Sequence, residues 1–221
     1  MTAAELFDLT KTLAGELISE CRYPEEALDS LGEFIIKKGR ELDGNRYVQI
    51  SEGVWKAVNA TVAESAVICP PCIIGGGTEI RCGAFIRGSV LIGNECVVGN
   101  STEVKCSILF DRVQIPHFNY VGDSILGYGA HLGAGAVTSN VKSDKSDIYV
   151  TDGEERRNTG RRKLGALIGD HVEIGCNAVL CPGTVIGRSS TVYPLSLVRG
   201  EVPSDSIYKG HKCITPKYRN N

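Results

Sequence analysis

The sequence predicts an all-β solenoid, a parallel β-helix in which short strands stack coil upon coil. Three observations favour this fold: an aliphatic residue at every sixth position, an excess of glycine, and a scarcity of aromatic residues. Glycine accounts for 26 of the 221 residues and aromatic residues for only 6 %, whereas glycine makes up about 7 % of an average chain. A period of six fits neither an amphipathic helix nor an alternating strand, but it fits coils that bury their faces only against their neighbours.

The six-residue period is carried by two long aliphatic series and one short series. The first series is Val62, Ile68, Ile74, Ile80, Ile86, Ile92, Val98 and Val104. The second is Ile168, Ile174, Leu180, Ile186, Val192 and Val198, and the short one is Tyr120, Leu126 and Leu132. Glycine often follows the aliphatic residue and a small residue often stands four places after it. Each unit is therefore predicted to be a short strand and a tight turn, with glycine providing the backbone angles of the turn.

The repeat is interrupted at two places. Val104 and Leu126 are 22 residues apart, which is neither 18 nor 24, so the phase slips between them. From Leu132 to Ile168 the phase is kept, yet charged residues stand at intervening core positions. We therefore expect the chain to leave the solenoid as a protruding loop over about 139–164, and long loops in compact repeats are usually functional.

The protruding loop carries a cluster of cationic residues. They are Arg156, Arg157, Arg161, Arg162 and Lys163. Such a cluster can hold phosphate groups. A solvated loop, balanced by Asp152, Glu154 and Glu155, is an equal alternative.

The first 46 residues do not repeat and predict an N-terminal α-helical hairpin. Thr2 and Glu5 form a capping-box pattern before leucines at helical spacing. Pro24 opens a second amphipathic segment. We expect the hairpin to cover an end of the solenoid, with partner binding as the alternative. The predicted divisions are a helical segment over 1–46, a lead-in over 47–61, a β-helix over 62–203 and a C-terminal tail over 204–221.

Composition excludes several classes of protein. The 24 basic and 26 acidic residues nearly balance, which argues against a general nucleic-acid-binding protein. No apolar run approaches the length of about 18 residues typical of a membrane span, and the first residues lack the pattern of a signal peptide. We therefore expect a cytoplasmic protein that binds neither nucleic acid nor membrane.

Nine cysteines in a chain of this length argue against a disulfide framework. Cys69 and Cys72 form a C-x-x-C motif, but no helix pattern follows it as in redox proteins. Cysteines that are buried in the repeat or lie at its edges are therefore favoured over a redox pair.

A catalytic site is predicted where the six-residue phase fails. His117 and Tyr120 lie in this irregular coil, and a histidine that is neutral near pH 7 suits a general base. An ordinary structural histidine is the alternative. Arg87 and Lys105 are 18 residues apart, so they should stack on adjacent coils and hold an anionic group such as a phosphate. The alternative is that both residues are ordinary surface charges.

Three segments carry a resemblance to a known family: 98–105, 116–123 and 132–140. They resemble the acetyltransferase domain of the bifunctional N-acetylglucosamine-1-phosphate uridyltransferase / glucosamine-1-phosphate N-acetyltransferase, a hexapeptide-repeat protein, over roughly 62–210. The resemblance implies a left-handed β-helix and a homotrimer with its sites in clefts between protomers. It also implies a coenzyme-A-dependent acyltransferase, with acetyl-CoA as donor, that acts on the amine of an amino sugar or amino-sugar phosphate in nucleotide-sugar biosynthesis. No uridyl transfer is expected, because the glycine-rich nucleotide motif does not occur before residue 47.

The resemblance assigns roles residue by residue. It implies that His117 is the general base, with Glu103 near it. The implied substrate-binding residues are Arg87, Lys105, Tyr120, His131 and Asn140. The implied contacts to acetyl-CoA are Gly133, Ala134 and Cys176, and no metal is required for the chemistry. Oxyanion stabilisation is expected from a backbone N–H near 133–135.

The sequence departs from the family at three positions, of which the loop and His131 border the acceptor and Cys176 borders coenzyme A. His131 replaces a family asparagine, Ser146 falls where the family has a lysine, and Cys176 replaces a serine. The loop is also longer than the family's. The identity of the acceptor sugar is therefore left open.

Two other functions are alternatives to acyl transfer. A zinc site like that of the gamma-class carbonic anhydrases needs two histidines five residues apart, a spacing that His117, His131, His171 and His211 do not provide. A non-catalytic assembly or regulatory module is the stronger alternative. The presence of the complete set of site residues argues against such a module, which is expected to lose some of them.

Overall fold

The computed structural model describes residues 1–153, 155–210 and 213–217 of the chain. The repeat folds into a left-handed parallel β-helix of about eight coils, which confirms the predicted fold class. Each coil gives one short strand to each of three sheets, which we name sheet A, sheet B and sheet C in the order the chain visits them. Part of the predicted tail, residues 211, 212 and 218–221, lies outside the described residues.

The strands of each sheet stack in parallel along the solenoid. Sheet A contains Tyr47–Ser51, Val54–Ala57, Cys72–Ile74, Val90–Ile92, Ser107–Leu109, Ile125–Leu126, Ala166–Ile168, Thr184–Ile186 and Glu201–Val202. Sheet B contains Thr61–Val62, Glu79–Ile80, Val97–Asn100, Gln114–His117, His131–Leu132, Glu173–Ile174, Thr191–Val192, Ser206–Gly210 and Cys213–Pro216. Sheet C contains Val67–Ile68, Phe85–Ile86, Glu103–Lys105, Tyr120–Gly122, Val137–Thr138, Val179–Leu180 and Leu197–Val198. The first strand of sheet A and the last of sheet B are antiparallel to their neighbours.

The phase slip of the repeat comes from shortened units. Ile92 pairs with Leu109, and Leu109 pairs with Leu126, so each of these steps is one residue shorter than the usual 18. The inward position on sheet C is consequently taken by Val121, which is fully buried. Tyr120 stands one place earlier and is only half-buried, so its prediction as a member of the aliphatic series is wrong.

Glycine after the inward aliphatic residue serves close packing rather than the turn angles. A Cβ on Gly99 would lie 1.5 Å from the carbonyl oxygen of Pro116 on the next coil. The left-handed residue of the turn stands two places later, as at Ser101 (φ 52°) and Gly135 (φ 72°). The predicted role of these glycines in setting the turn is therefore wrong at such positions, because their function is to let successive coils approach.

The N-terminal segment consists of short helical pieces. They are α1 (Ala3–Leu6), a 3₁₀ turn (Leu9–Lys11), α2 (Gly15–Ser19), a second 3₁₀ turn (Pro24–Glu26) and α3 (Ala27–Glu41). The capping box of Thr2 and Glu5 is present. The single first helix expected from the leucine spacing is broken, because the chain turns tightly where a Cβ on Gly15 would lie 2.2 Å from the Leu9 carbonyl oxygen. Among the described residues, no helix combines the length and the apolar character required to cross a membrane.

The helical pieces lie along the outer face of sheet A and not over an end of the solenoid. The outward side chains of Ile73, Leu91 and Ile108 are completely buried beneath them. Phe7 packs on Phe110 with 5.2 Å between ring centroids. The expectation of an end cap is wrong because sheet A carries aliphatic residues on both faces, so its outer face also has to be covered.

The protruding loop leaves the solenoid after Val137–Thr138 and returns at Ala166–Ile168. Within it, Tyr149–Asp152 and Glu155–Asn158 form an antiparallel hairpin. Near the point of return the Leu164 N–H donates to the carbonyl of Asn140 over 3.1 Å. The base of the loop is therefore joined to the chain on either side of it.

Two cations of the loop bind the N-terminal segment. Arg157 forms an ion pair with the buried carboxylate of Glu25, and its guanidinium lies 3.4 Å from the ring centroid of Tyr23. Arg161 pairs with Asp29 at 2.7 Å. These arginines latch the loop to the helices, so the phosphate role predicted for the whole cluster does not apply to them.

Candidate active site

A group of polar residues, all but one of them predicted for the site, lies on the outer face of sheet C, which no helix in the described part of the chain covers. We call this group the acceptor strip; it consists of Arg87, Glu103, Lys105, Tyr120, Asp123 and Asn140. Glu103 is in register with Tyr120, and Lys105 with Gly122. The backbone N–H of Arg87 donates to the carbonyl of Val104 at 2.8 Å. Because Lys105 follows Val104, Arg87 lies beside Lys105 on the adjacent coil, as their spacing predicts.

Each cation of the acceptor strip has a carboxylate partner. Arg87 Nη1 lies 2.7 Å from Glu103 Oε1, and Lys105 Nζ lies 3.5 Å from Asp123 Oδ2. An incoming phosphate would therefore compete with these carboxylates for the two cations, or share the cations with them. Glu103 pairs with Arg87 and not with His117, so its expected role in orienting the imidazole does not match this arrangement.

Asp123 is a site residue that the sequence reasoning missed. Its carboxylate is buried and accepts a hydrogen bond from Asn140 Nδ2 at 2.5 Å. Asn140 Nδ2 also lies 3.2 Å from Tyr120 Oη. An 18-residue step from Lys105 reaches Asp123 in the sequence, although the shortened coil puts Lys105 in register with Gly122.

Gly122 makes room for this network. A Cβ at this position would lie 2.6 Å from Tyr120 Oη and 2.9 Å from Asn140 Nδ2. The absence of a side chain allows the phenol to fold back over its own strand. Tyr120 can therefore meet Asn140 across the strip.

His117 lies at the corner where the chain passes from sheet B to sheet C. Its carbonyl accepts the Gly135 N–H at 3.0 Å, and the Ala134 carbonyl accepts the Asn177 N–H at 2.9 Å. On the next coil the Leu195 N–H donates to the Cys176 carbonyl at 2.9 Å, which continues the same ladder. His117, Ala134 and Cys176 are thus stacked on successive coils, and we call them the corner column.

The backbone of His117 is held by a second residue that sequence reasoning missed. The buried amide of Asn119 donates from Nδ2 to the carbonyls of Gly133 (2.9 Å) and Ala136 (3.0 Å). Its Oδ1 accepts the His117 N–H at 3.1 Å. The His117 side chain itself is exposed, so the imidazole is presented at the corner by a fixed backbone.

Only one amide of the 133–135 segment is available to a ligand. The Gly133 N–H donates to Ile174 at 2.7 Å, and the Gly135 N–H donates to His117. The N–H of Ala134 has no hydrogen-bond partner among the described residues, and Ala134 is partly exposed. The expectation of an oxyanion donor in this segment therefore narrows to Ala134.

His131 is not brought to the acceptor strip. It precedes the inward Leu132 and faces outward from sheet B, where its Nδ1 lies 2.8 Å from Glu173 Oε2. Within this chain the two faces are separated by the corner column. His131 is the one predicted substrate residue that stands apart from the others.

The cysteines and histidines show no other reactive grouping among the described residues. All nine cysteines are free thiols, and burial raises the pKa of Cys72. In the described part of the chain, no three His, Cys, Asp or Glu side chains are grouped as metal ligands. His211, one of the histidines weighed for zinc, lies outside the described residues.

Comparisons with known proteins point to one group. Residues 68–153 match the family model described as the GMPPB C-terminal domain. A bifunctional sugar-1-phosphate nucleotidylyltransferase/acetyltransferase from Sulfurisphaera tokodaii is 37 % identical over 103 residues, covering 47 % of this chain and 26 % of that protein. The bifunctional protein GlmU of Methanococcus aeolicus is 30 % identical over 229 residues, covering 95 % of this chain and 54 % of that protein.

The resemblance noted from the sequence is thereby confirmed. The chain spans about a quarter to a half of the length of these two relatives. Among solved structures, the acetyltransferase domain of PglB from Neisseria gonorrhoeae, in complex with acetyl coenzyme A, matches with a TM-score of 0.38 and 18 % identity. That match covers 74 % of this chain and 57 % of the other.

Proposed function

We propose that the chain is a coenzyme-A-dependent acyltransferase that transfers an acetyl group to the amine of an amino sugar or amino-sugar phosphate. The observation that carries this proposal is the meeting of the acceptor strip and the corner column. Groups suited to a sugar phosphate stand on one face, and an exposed histidine and a free amide stand at its edge. The names of the curated relatives, which include acetyltransferases of sugar-1-phosphate metabolism, support a place in nucleotide-sugar biosynthesis.

The chemistry follows from the positions of these groups. The imidazole of His117 takes a proton from the sugar ammonium, which frees the nitrogen lone pair. The amine attacks the thioester carbonyl and forms the new C–N bond, and the Ala134 N–H donates to the oxygen that becomes negative. The C–S bond then breaks, the leaving thiolate receives the proton from His117, and the nitrogen loses its second proton to solvent, which gives the neutral amide. The products are the N-acetyl sugar and free coenzyme A.

The donor is proposed to lie along the corner column. The small side chains of Ala134 and Cys176 leave the backbone of this column accessible. Gly133 fits closely against the next coil, because a Cβ on it would lie 2.8 Å from the Cys176 nitrogen. An extended pantetheine arm laid along the column would bring its thioester between the Ala134 amide and His117.

The acceptor is proposed to bind through the acceptor strip. A phosphate would bind Arg87 and Lys105, and hydroxyl groups of the sugar would bind Tyr120 and Asn140. Replacing Arg87 or Lys105 by alanine should raise KM for the acceptor more than KM for acetyl-CoA. Equal effects on the two constants would reject the phosphate role.

A homotrimer is proposed as the working state. Large apolar side chains are exposed near the site, including Phe118 at 59 % and Leu195 at 80 %, and a second copy would cover them. We also propose a cytoplasmic location, which suits nine free thiols. Leu195→Asp should convert the trimer into monomers in analytical ultracentrifugation. An unchanged mass would remove Leu195 from the interface.

The function is tested by thiol release from acetyl-CoA with a panel of amino sugars, their 1-phosphates and their nucleotide-linked forms. The expected result is release with at least one member, accompanied by an N-acetylated product in mass spectrometry. Release with none of them would contradict the proposal and favour a non-catalytic module.

A further inference from the structure

A second group of cations lies beside the acceptor strip. A cavity of about 560 Å³ opens between the protruding loop and the last coils of the solenoid. Three of its lining side chains are cationic: Lys142, Arg156 and Arg199. Ser139 and the carboxylate of Asp144 also line it.

The cavity continues the edge of sheet C on which Lys105 stands. The Ser139 N–H donates to the carbonyl of Leu180 at 2.8 Å, and the Cys181 N–H donates to the carbonyl of Val198 at 2.9 Å. Ser139, Cys181 and Arg199 therefore occupy equivalent positions on three successive coils. Since Ser139 directly precedes Asn140, the cavity and the acceptor strip are neighbours.

Among the described residues, no carboxylate forms an ion pair with a cation of the cavity, and the Lys142 ammonium donates to the Ser146 hydroxyl and the Asp147 carbonyl. The Lys142 ammonium and the Arg156 guanidinium lie 5.1 and 4.3 Å from the ring centroid of Tyr149, which offsets only part of their repulsion. Hydrogen bonds from Ser146 lower the pKa of Asp144, so it stays ionised and opposes the three cations with one negative charge.

The loop is built so that its arginines face in opposite directions. Arg156 and Arg157 are neighbours on one strand, and successive side chains of a strand point to opposite sides. Arg157 pairs with the buried Glu25, whereas Arg156 lines the cavity. The ion pair of Arg157 with Glu25 therefore keeps Arg156 directed toward the cavity.

We propose that this cavity is an anion site that binds the diphosphate group of a reactant. Arginine side chains bind phosphate oxygens through paired, charge-assisted hydrogen bonds, and a diphosphate supplies enough negative charge for three cations. Acyl-CoA carries a diphosphate, and so does a nucleotide-linked amino sugar. The choice of these two reactants rests on the proposed function, whereas the anion site rests on the cavity alone.

The site is tested by calorimetric titration with inorganic pyrophosphate. The wild-type chain is compared with the double variant Arg156→Gln/Arg199→Gln and with Arg162→Gln, which removes an exposed arginine of the same loop that does not line the cavity. The double variant should bind at least about tenfold more weakly, a loss of about 1.4 kcal/mol, because it removes two of the three cations. Arg162→Gln should bind like the wild type. Equal binding by the wild type and the double variant, or no binding by the wild type at millimolar concentration, would overturn the proposal.

Competition then distinguishes the two reactants. Displacement of coenzyme A by pyrophosphate, in the wild type only, assigns the site to the acyl donor. Displacement of a uridine-diphosphate amino sugar assigns it to the acceptor, and displacement of neither would overturn the assignment to a reactant. The titration is repeated with His117→Ala, in which pyrophosphate binding should be unchanged. A failure of the catalytic proposal is therefore distinguishable from a failure of the anion site.

Discussion

Two faces of the same solenoid are used in opposite ways. On sheet A the outward residues are aliphatic, and Ile73 and Leu91 are completely buried under the N-terminal helices. On sheet C the outward positions include Glu103 and Tyr120, and Val67 and Leu197 are 55 % and 60 % exposed. The inward rows of the two sheets are alike, so the outward rows determine which face is covered and which is free to bind.

The largest effect on stability should come from truncating side chains that lie beneath the N-terminal helices. Ile73→Ala should lower the free energy of unfolding by about 2–5 kcal/mol, because it opens a cavity beneath the helices. Val67→Ala, on the strand just before it in the same coil, should cost less than about 1 kcal/mol, because its side chain is largely in water. Denaturant unfolding at one protein concentration measures both. Equal losses would contradict the difference in cover between the two sheets.

Within the acceptor strip the largest effect should come from Asp123→Ala. The change removes the acceptor of the Asn140 amide and the partner of Lys105. If the proposed function holds, kcat/KM for the acceptor should fall by about ten- to a hundredfold, which corresponds to about 1.4–2.7 kcal/mol. KM for acetyl-CoA should stay unchanged. Glu173→Ala, which removes a carboxylate from sheet B, is the matched control, and a similar loss in that variant would remove Asp123 from the site.

Gly122→Ala should have a smaller effect on the same face. The added methyl group would displace the Tyr120 phenol, from which it would otherwise lie 2.6 Å. KM for the acceptor should rise by about tenfold, a loss of about 1.4 kcal/mol. Steady-state kinetics measures it, and thermal unfolding checks that the fold is kept. If Tyr120→Phe and Gly122→Ala leave KM unaltered, the contact of the phenol with Asn140 has no part in binding.

The smallest effect should come from Asp170, which binds the N-terminal segment to the solenoid. Asp170 accepts the N–H groups of Asp8 (2.7 Å) and Tyr128 (2.8 Å), and burial raises its pKa above the ordinary 3.8. Because the folded state holds this proton more tightly, the contribution of the group to stability is full below pH 3.8 and is lost as pH rises through the raised pKa. Asp170→Asn should flatten the decline of the free energy of unfolding over that window. The same slope in wild type and variant would show that Asp170 does not cause it.

The inward rows of the fold were predictable because a period of six over eight consecutive units leaves few other structures. Two features escaped prediction for physical reasons. The shortened coils move the inward position from Tyr120 to Val121, and a single missing residue gives no local signal. The N-terminal helices lie on a face because most sheet A strands carry an outward aliphatic residue directly before the inward one, as Ile73, Leu91 and Ile108 show, and the six-residue series does not sample it.

The site was predictable where residues recur by whole coils, as Arg87 and Lys105 do. It was less predictable where partners depend on side-chain direction. Glu103 pairs with Arg87 because the two lie diagonally on one face, whereas His117 belongs to the corner. His131 is close to the site in sequence, but its strand, His131–Leu132, belongs to sheet B, so its outward side chain lies on another face of the solenoid.

The proposed function requires that the open face of sheet C, together with the corner that carries His117, performs acyl transfer. The most direct measurement is product formation from acetyl-CoA and the best acceptor by wild type, His117→Ala and His171→Ala. His171 packs against Tyr128 with 5.1 Å between ring centroids and serves as the matched control. Transfer should be abolished in His117→Ala, with the fold intact, and retained in His171→Ala. Unchanged turnover in His117→Ala would contradict the account.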